Sequence, residues 1–179
     1  MLREEKQAGS ALGFEADRLT SRGLLVPDEL INSVAGAWLE RLKGDGFVFD
    51  GYPRTLGQAA ALDAMLSSRG TPLEASILLE ADFATLRSRV EVRLICGKCG
   101  NIASGGTEAA AGGKCPRCGG DFSRRADDNA ATLEMRFREY LEKSAPVSDY
   151  YEQRGLLNRV DAARSQKQVF ADVCRILNA

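Results

Sequence analysis

Asp50, Gly51, Tyr52, Pro53, Arg54 and Gln58 stand together after an apolar run, Phe47-Val48-Phe49. These residue types bring cation and anion chemistry to one place. An Asp50 carboxylate can hold a hydrated divalent cation, and Gly51 lets a ligand approach the backbone. The Arg54 guanidinium is a planar fork that meets phosphate with two donors. The run before them predicts a buried parallel strand over 46–50, and in open α/β sheets ligands bind beyond the carboxyl ends of strands. A plain strand-to-helix turn with a surface arginine is the competing reading.

A second constellation is Cys96-x2-Cys99 and Cys115-x2-Cys118, with fifteen residues between the pairs. Two knuckles of this spacing can close four thiolates into a tetrahedron around zinc. Such a site has no open position for water, so the metal would be structural. Two disulfides, or four unrelated core cysteines, are the alternatives. Histidine is absent from the chain, so any base or metal ligand is another residue type. Arg89 and Arg93 lie four apart on one helix face, where they repel unless an acid or a phosphate sits between them. A solvated face is the plain alternative.

The elements that must carry these groups can be read from periodicity. Residues 1–22 have the composition of short helices, broken near Gly9-Ser10 and at Gly13. Pro27-Asp28-Glu29 opens a helix whose apolar face is Leu30, Ile31, Val34, Ala35, Trp38 and Leu42, closed by Lys43-Gly44. Trp38 falls on that stripe as a packing residue. Thr55 and Gln58 fit a capping box, which gives Gln58 a structural role alongside a possible ligand contact. Leu62, Met65 and Leu66 form the buried side of that helix. Residues 75–79 form a second strand, and Asp82 caps the helix that carries Arg89. Asp127 and Asp128 can cap a helix with Leu133, Phe137, Tyr140 and Leu141 on one side and Arg136 on another. Pro146 follows it. Residues 157–160 make a third strand, and Val169, Phe170, Val173, Ile176 and Leu177 a terminal amphipathic helix with Cys174 in the core.

The 179 residues suit one domain with a small insertion. With 24 basic and 25 acidic residues the net charge is −1, which gives no basic field for nucleic acid. No apolar run is long enough to span a bilayer and no signal peptide is evident, so a cytoplasmic location is expected.

Taken together the residues resemble the adenylate kinase family, in its bacterial form with a zinc-containing lid. The D-G-[FY]-P-R-T-x-x-Q signature stands as Asp50 to Gln58, and Gly23-Leu24-Leu25-Val26-Pro27-Asp28-Glu29 is similar to the segment over the AMP site. The cysteines, Arg125-Ala126-Asp127-Asp128-Asn129 with Arg136, and Ala145-Pro146 with Tyr150-Tyr151 follow in the family's order. The resemblance implies an α/β fold of the P-loop-kinase kind, a parallel sheet with flanking helices and an inserted zinc-ribbon lid. Residues 1–27 would be the AMP-side helical segment, 28–93 and 127–179 the core, and 94–126 the lid.

By the same resemblance Arg3, Arg54 and Arg136 hold the AMP phosphate, with Arg125 close to the transferring group. Leu24, Leu25 and Val26 line the AMP pocket, Gly51, Tyr52 and Pro53 belong to its loop, and Gln58 contacts adenine. Arg89 and Arg93 face the ATP phosphates, Ile102 and Ala103 lie near the ATP base, and Arg164 touches ATP. Asp50 holds Mg2+ through water, and Cys96, Cys99, Cys115 and Cys118 hold Zn2+. The implied reaction is ATP + AMP ⇌ 2 ADP, run by a monomer with no nucleic-acid or membrane partner.

One departure bears on activity. The family begins with a strand, a G-x-x-G-x-G-K-[GST] phosphate loop and its helix. The Gly-Lys pairs of this chain are Gly97-Lys98 and Gly113-Lys114, both in the cysteine knuckles and neither followed by serine or threonine. Met1-Leu2-Arg3 aligns just after the family's second strand. A true start further upstream is the expectation, a truncated copy the alternative, and the 179 residues alone are expected to be weakly active or inactive. The rival functions are a non-catalytic zinc-ribbon module that keeps a nucleotide site, and a kinase for another nucleoside monophosphate.

Overall fold

A computed structural model describes residues 5, 8–20, 26–42, 44, 46–103, 113–124 and 128–178. In chain order the elements are α1 (Ala11–Thr20), α2 (Asp28–Arg41), α3 (Leu56–Ser68), β1 (Ser76–Glu80), α4 (Phe83–Val92), β2 (Leu94–Cys96), β3 (Ile102–Ala103), β4 (Phe122–Ser123), α5 (Ala130–Glu139), a π-helical turn (Tyr140–Ser144), α6 (Ala145–Glu152), β5 (Leu157–Asp161) and α7 (Gln166–Ile176). They divide into two compact units, Met1–Ser76 with Glu142–Leu157, and Ile77–Leu141 with Asn158–Ala179.

The first unit is built on the apolar stripes of α2 and α3. Ala35, Leu39, Tyr52, Leu62 and Leu66 are buried together, with Trp38, Phe47, Phe49 and Met65 packed against them. Trp38 and Phe49 have ring centroids 5.2 Å apart, so the tryptophan is a packing residue as its place on the stripe predicts. Gly36 of α2 faces Met65 of α3, where a Cβ would lie 3.2 Å from Met65 Sδ. A second cluster joins Ala59 of α3 to Val147 and Tyr151 of α6. Tyr150 donates to Asp63 at 2.8 Å while the Arg154 guanidinium stacks 3.5 Å above its ring. Pro146 stands in the first turn of α6, where its missing N–H costs nothing.

In the second unit α4 and α5 meet through Phe83 and Phe137, centroids 5.0 Å apart. The knuckle is a three-stranded antiparallel sheet in the order β3-β2-β4, registered by Leu94 with Ala103 and Cys96 with Phe122. β1 and β5 are hydrogen-bonded neighbours. Ser76 N donates to Leu156 O and Ala162 N to Glu80 O, so the register rises in the same sense along both strands and the pair is parallel.

Several expectations change. Residues 46–50 are not a strand: no described segment forms a ladder with them. The side chains still alternate, with Phe47 and Phe49 on the core and Val48 79% exposed, because apolar alternation fixes burial without supplying a hydrogen-bonded partner. Gly13 does not break α1; its N–H donates to the Ser10 hydroxyl at 3.0 Å, so it sits inside a capped first turn. α5 is capped by Asn129, whose side chain accepts from Thr132 N, while Asp128 is turned to another use. Tyr140 and Leu141 are exposed, because the helix gives way to the π turn at Tyr140. Cys174 is half-buried, and α7 has no fully buried residue among those described.

Candidate functional site

In the first unit the loop from Asp50 leads into the N-terminus of α3. Thr55 is the N-cap, and its hydroxyl accepts from Gln58 N at 3.1 Å. The predicted capping box is only half made, because the Gln58 amide does not return to the cap backbone. Its Oε1 accepts from Arg54 N at 2.7 Å, and its Nε2 donates to Asp28 Oδ1 at 2.7 Å. The second Asp28 oxygen accepts from the Thr55 hydroxyl. Asp28 in the first turn of α2 thus ties together the cap and the buried glutamine of α3. Tyr52 adds a bond from its hydroxyl to Asn32 Oδ1 at 2.9 Å. Burial, and then the Asp28 charge, push the Tyr52 phenol up to about 12.

Gly51 has φ of +71°, and a Cβ there would fall 2.7 Å from Arg54 Nη2. The positive φ favours glycine, and the absence of a Cβ lets the guanidinium lie on the turn. Arg54 Nε donates to Gly51 O at 2.7 Å, and its own carbonyl accepts from the Ser144 hydroxyl at 3.1 Å. Asp50 and Arg54 are exposed, Pro53 and Val26 half-buried. Of the other AMP-side expectations, Arg3, Leu24 and Leu25 lie outside the described residues.

In the second unit the arginines have partners. Arg89 Nη2 donates to Ala163 O at 3.3 Å. Arg93 grips Asp128 with both arms of its fork, Nε to Oδ2 at 2.8 Å and Nη2 to Oδ1, and the Asp128 side chain is 1% exposed. An acid therefore sits against Arg93, and Asp128 serves that pair where a helix cap was expected. Arg164 Nη1 donates to Asp172 Oδ2 at 2.6 Å. Arg136 is exposed on α5. Ile102 is 59% exposed and Ala103 half-buried on β3. Arg125 and Asp127 lie outside the described residues.

The knuckles converge. The Sγ atoms of Cys96, Cys99, Cys115 and Cys118 all lie within 4.8 Å of one another. The Cys96–Cys118 and Cys99–Cys115 separations are 3.4 and 3.6 Å. A disulfide needs about 2.05 Å, whereas thiolates about 2.3 Å from a central zinc stand about 3.8 Å apart. Gly120 seals the cluster: a Cβ there would come 2.9 Å from Cys96 Sγ and 3.3 Å from Cys118 Sγ. Backbone N–H groups of Cys99 and then Lys98 pull the Cys96 thiol down to about 6. The neighbouring Cys99 sulfur, first among its causes, pushes Cys118 up to about 12. Four thiolates this close need a cation among them, and the donor set fits structural zinc.

Sequence reasoning saw Asp28 only as a helix opener. Nothing local announces a partner thirty positions away, and the same holds for Asp128 against Arg93. Asn129, beside two aspartates, was hidden by its more acidic neighbours.

A parallel strand pair, helices, an Asp-Gly-Tyr-Pro-Arg loop and a four-cysteine insertion make this an α/β protein with a thiolate metal site. The family model for adenylate kinase matches residues 1–156. Adenylate kinases of Paracoccus denitrificans (strain Pd 1222) and Novosphingobium aromaticivorans are each 40% identical to the chain over 182 residues. These alignments take in 99% and 100% of the chain and 82% and 84% of the relatives. The adenylate kinase of Pseudothermotoga lettingae is 38% identical over 179 residues, 99% of the chain and 82% of its own length. The chain belongs to the adenylate kinase family, a family of enzymes that transfer phosphoryl groups between nucleotides.

Proposed function

We propose that the chain catalyses ATP + AMP ⇌ 2 ADP. The observation that carries the reading is the Gln58 amide, buried and oriented beside the Arg54 loop, as recognition of one nucleobase requires. A nonbridging oxygen of the AMP phosphate attacks the γ-phosphorus of ATP, and the bond to the β-phosphate oxygen breaks. Arg3, Arg54 and Arg136 hold the acceptor phosphate, and Leu24, Leu25, Val26 and the run Gly51 to Pro53 form its pocket. Arg125 joins the acceptor side close to the transferring group, while Arg89, Arg93 and Arg164 take the donor side, Arg93 exchanging the Asp128 carboxylate for phosphate. Ile102 and Ala103 flank the ATP base. Arginine is suited to this work because phosphoryl transfer asks for positioning and charge neutralisation more than for a nucleophile on the enzyme. Asp50 would hold Mg2+, which would supply charge neutralisation to the phosphates when bound with ATP. Zinc in residues 94–126 is structural, and that segment serves as a lid. The proposal extends to a monomer in the cytoplasm.

A second reading is nucleotide binding without transfer. It is favoured by the Arg93 fork, which the Asp128 carboxylate already occupies. Calorimetric titration with AMP, paired with an assay for ADP, separates the two. AMP binding that Arg54→Ala weakens at least about tenfold supports the shared site. AMP-dependent ADP formation supports the kinase, and binding with no ADP supports the second reading. Undiminished binding to the Arg54→Ala protein overturns the role given to the loop.

A further inference from the structure

Gln58 is the one amide in the Asp50–Gln58 loop, and the direction it points is chemically determined. Arg54 N–H can only donate, so the atom facing it must be Oε1. The Asp28 carboxylate can only accept, so the atom facing it must be Nε2. Turning the amide over would set oxygen against carboxylate and N–H against N–H. The residue is 6% exposed, where water does not repair such a mismatch. After these two bonds Gln58 still has one N–H and one Oε1 lone pair.

We infer that Asp28 is a specificity-determining positioning residue, fixing the Gln58 amide so that its remaining donor and acceptor select a 6-amino purine over a 6-oxo purine. The inference rests on the reading of Gln58 as the contact to the acceptor base. An amide oxygen held in place accepts from an exocyclic amino group and repels an exocyclic carbonyl, while its N–H donates to an adjacent ring nitrogen. Arg54 N–H alone fixes only the oxygen end, and it belongs to the loop that must receive the ligand. Asp28 comes from a different helix and is braced by the Thr55 hydroxyl on its other oxygen. It acts through Gln58, with no contact to ligand required.

Asp28→Asn removes the obligate acceptor at nearly constant shape, since an asparagine can present either NH2 or oxygen to Gln58. Calorimetric titrations of the full chain with AMP and with IMP measure the selectivity. The expected result is a fall of at least about tenfold in the AMP-to-IMP affinity ratio. In a Gln58→Met background the Asp28→Asn change has no further effect on the ratio. Asp28→Ser gives the same reading if the asparagine protein does not fold. An unchanged ratio in Asp28→Asn, with AMP still bound, overturns the inference and leaves the AMP reading standing. Failure of the unmodified chain to prefer AMP over IMP overturns that reading instead.

Discussion

Arg54 and Gly51 show how much a single side chain can commit a loop. The guanidinium lies on the glycine and donates to its carbonyl, in a space that any Cβ would occupy. Gly51→Ala is expected to displace Arg54 and to strain a backbone at φ +71°, weakening AMP binding with a smaller loss of stability; titration beside a thermal melt checks both. Tyr52 gives a pH prediction. Its phenol is held neutral well above the ordinary tyrosine range, so the folded state retains a proton that the unfolded chain gives up near pH 10. Stability is full below about pH 10 and declines as pH rises toward about 12. The urea midpoint should therefore fall across that interval, and Tyr52→Phe should flatten the fall. At this scale the sequence revealed the chemistry of the Asp50–Gln58 loop, because residue type and near spacing carry it. It hid Asp28 and Asp128, because partners thirty or more positions away leave no mark in local pattern.

At the level of elements, the helices were legible from their stripes and caps. α2 and α3 bury the faces that the spacing of Val34, Ala35, Leu62 and Leu66 predicts, and Thr55 caps α3 as expected. The failures came where a local signal had two claimants. Asp127, Asp128 and Asn129 all suit a cap, and the Arg93 fork takes Asp128 while Asn129 caps α5. Asn129→Ala should cost about 1 kcal/mol of stability in urea melts, since it leaves the Thr132 N–H without its cap. The run at 46–50 alternates as a strand does, yet strand identity depends on a neighbour that composition cannot supply. The cysteine knuckle was the most legible element of all, because ligand spacing encodes its closure directly. Gly120→Ala should lower zinc affinity, measured against a chromogenic chelator, since the new methyl group meets two of the four sulfurs.

For the whole molecule, the two units hold different parts of the chemistry: the Asp50–Gln58 loop and Asp28 in one, the cysteines and the Arg89, Arg93 and Arg164 groups in the other. Zinc binding is thereby expected to stabilise residues 94–124 without creating the acceptor site. Chelation should expose that segment to protease, mapped by mass spectrometry, while AMP titration remains close to normal. Transfer from ATP to AMP in particular is tested by product formation with ATP, Mg2+ and either AMP, GMP or UMP as acceptor. ADP formation that depends on AMP is expected, with little transfer to GMP or UMP. Equal transfer to GMP or UMP, or loss of the ATP γ-phosphate to water regardless of AMP, would contradict it.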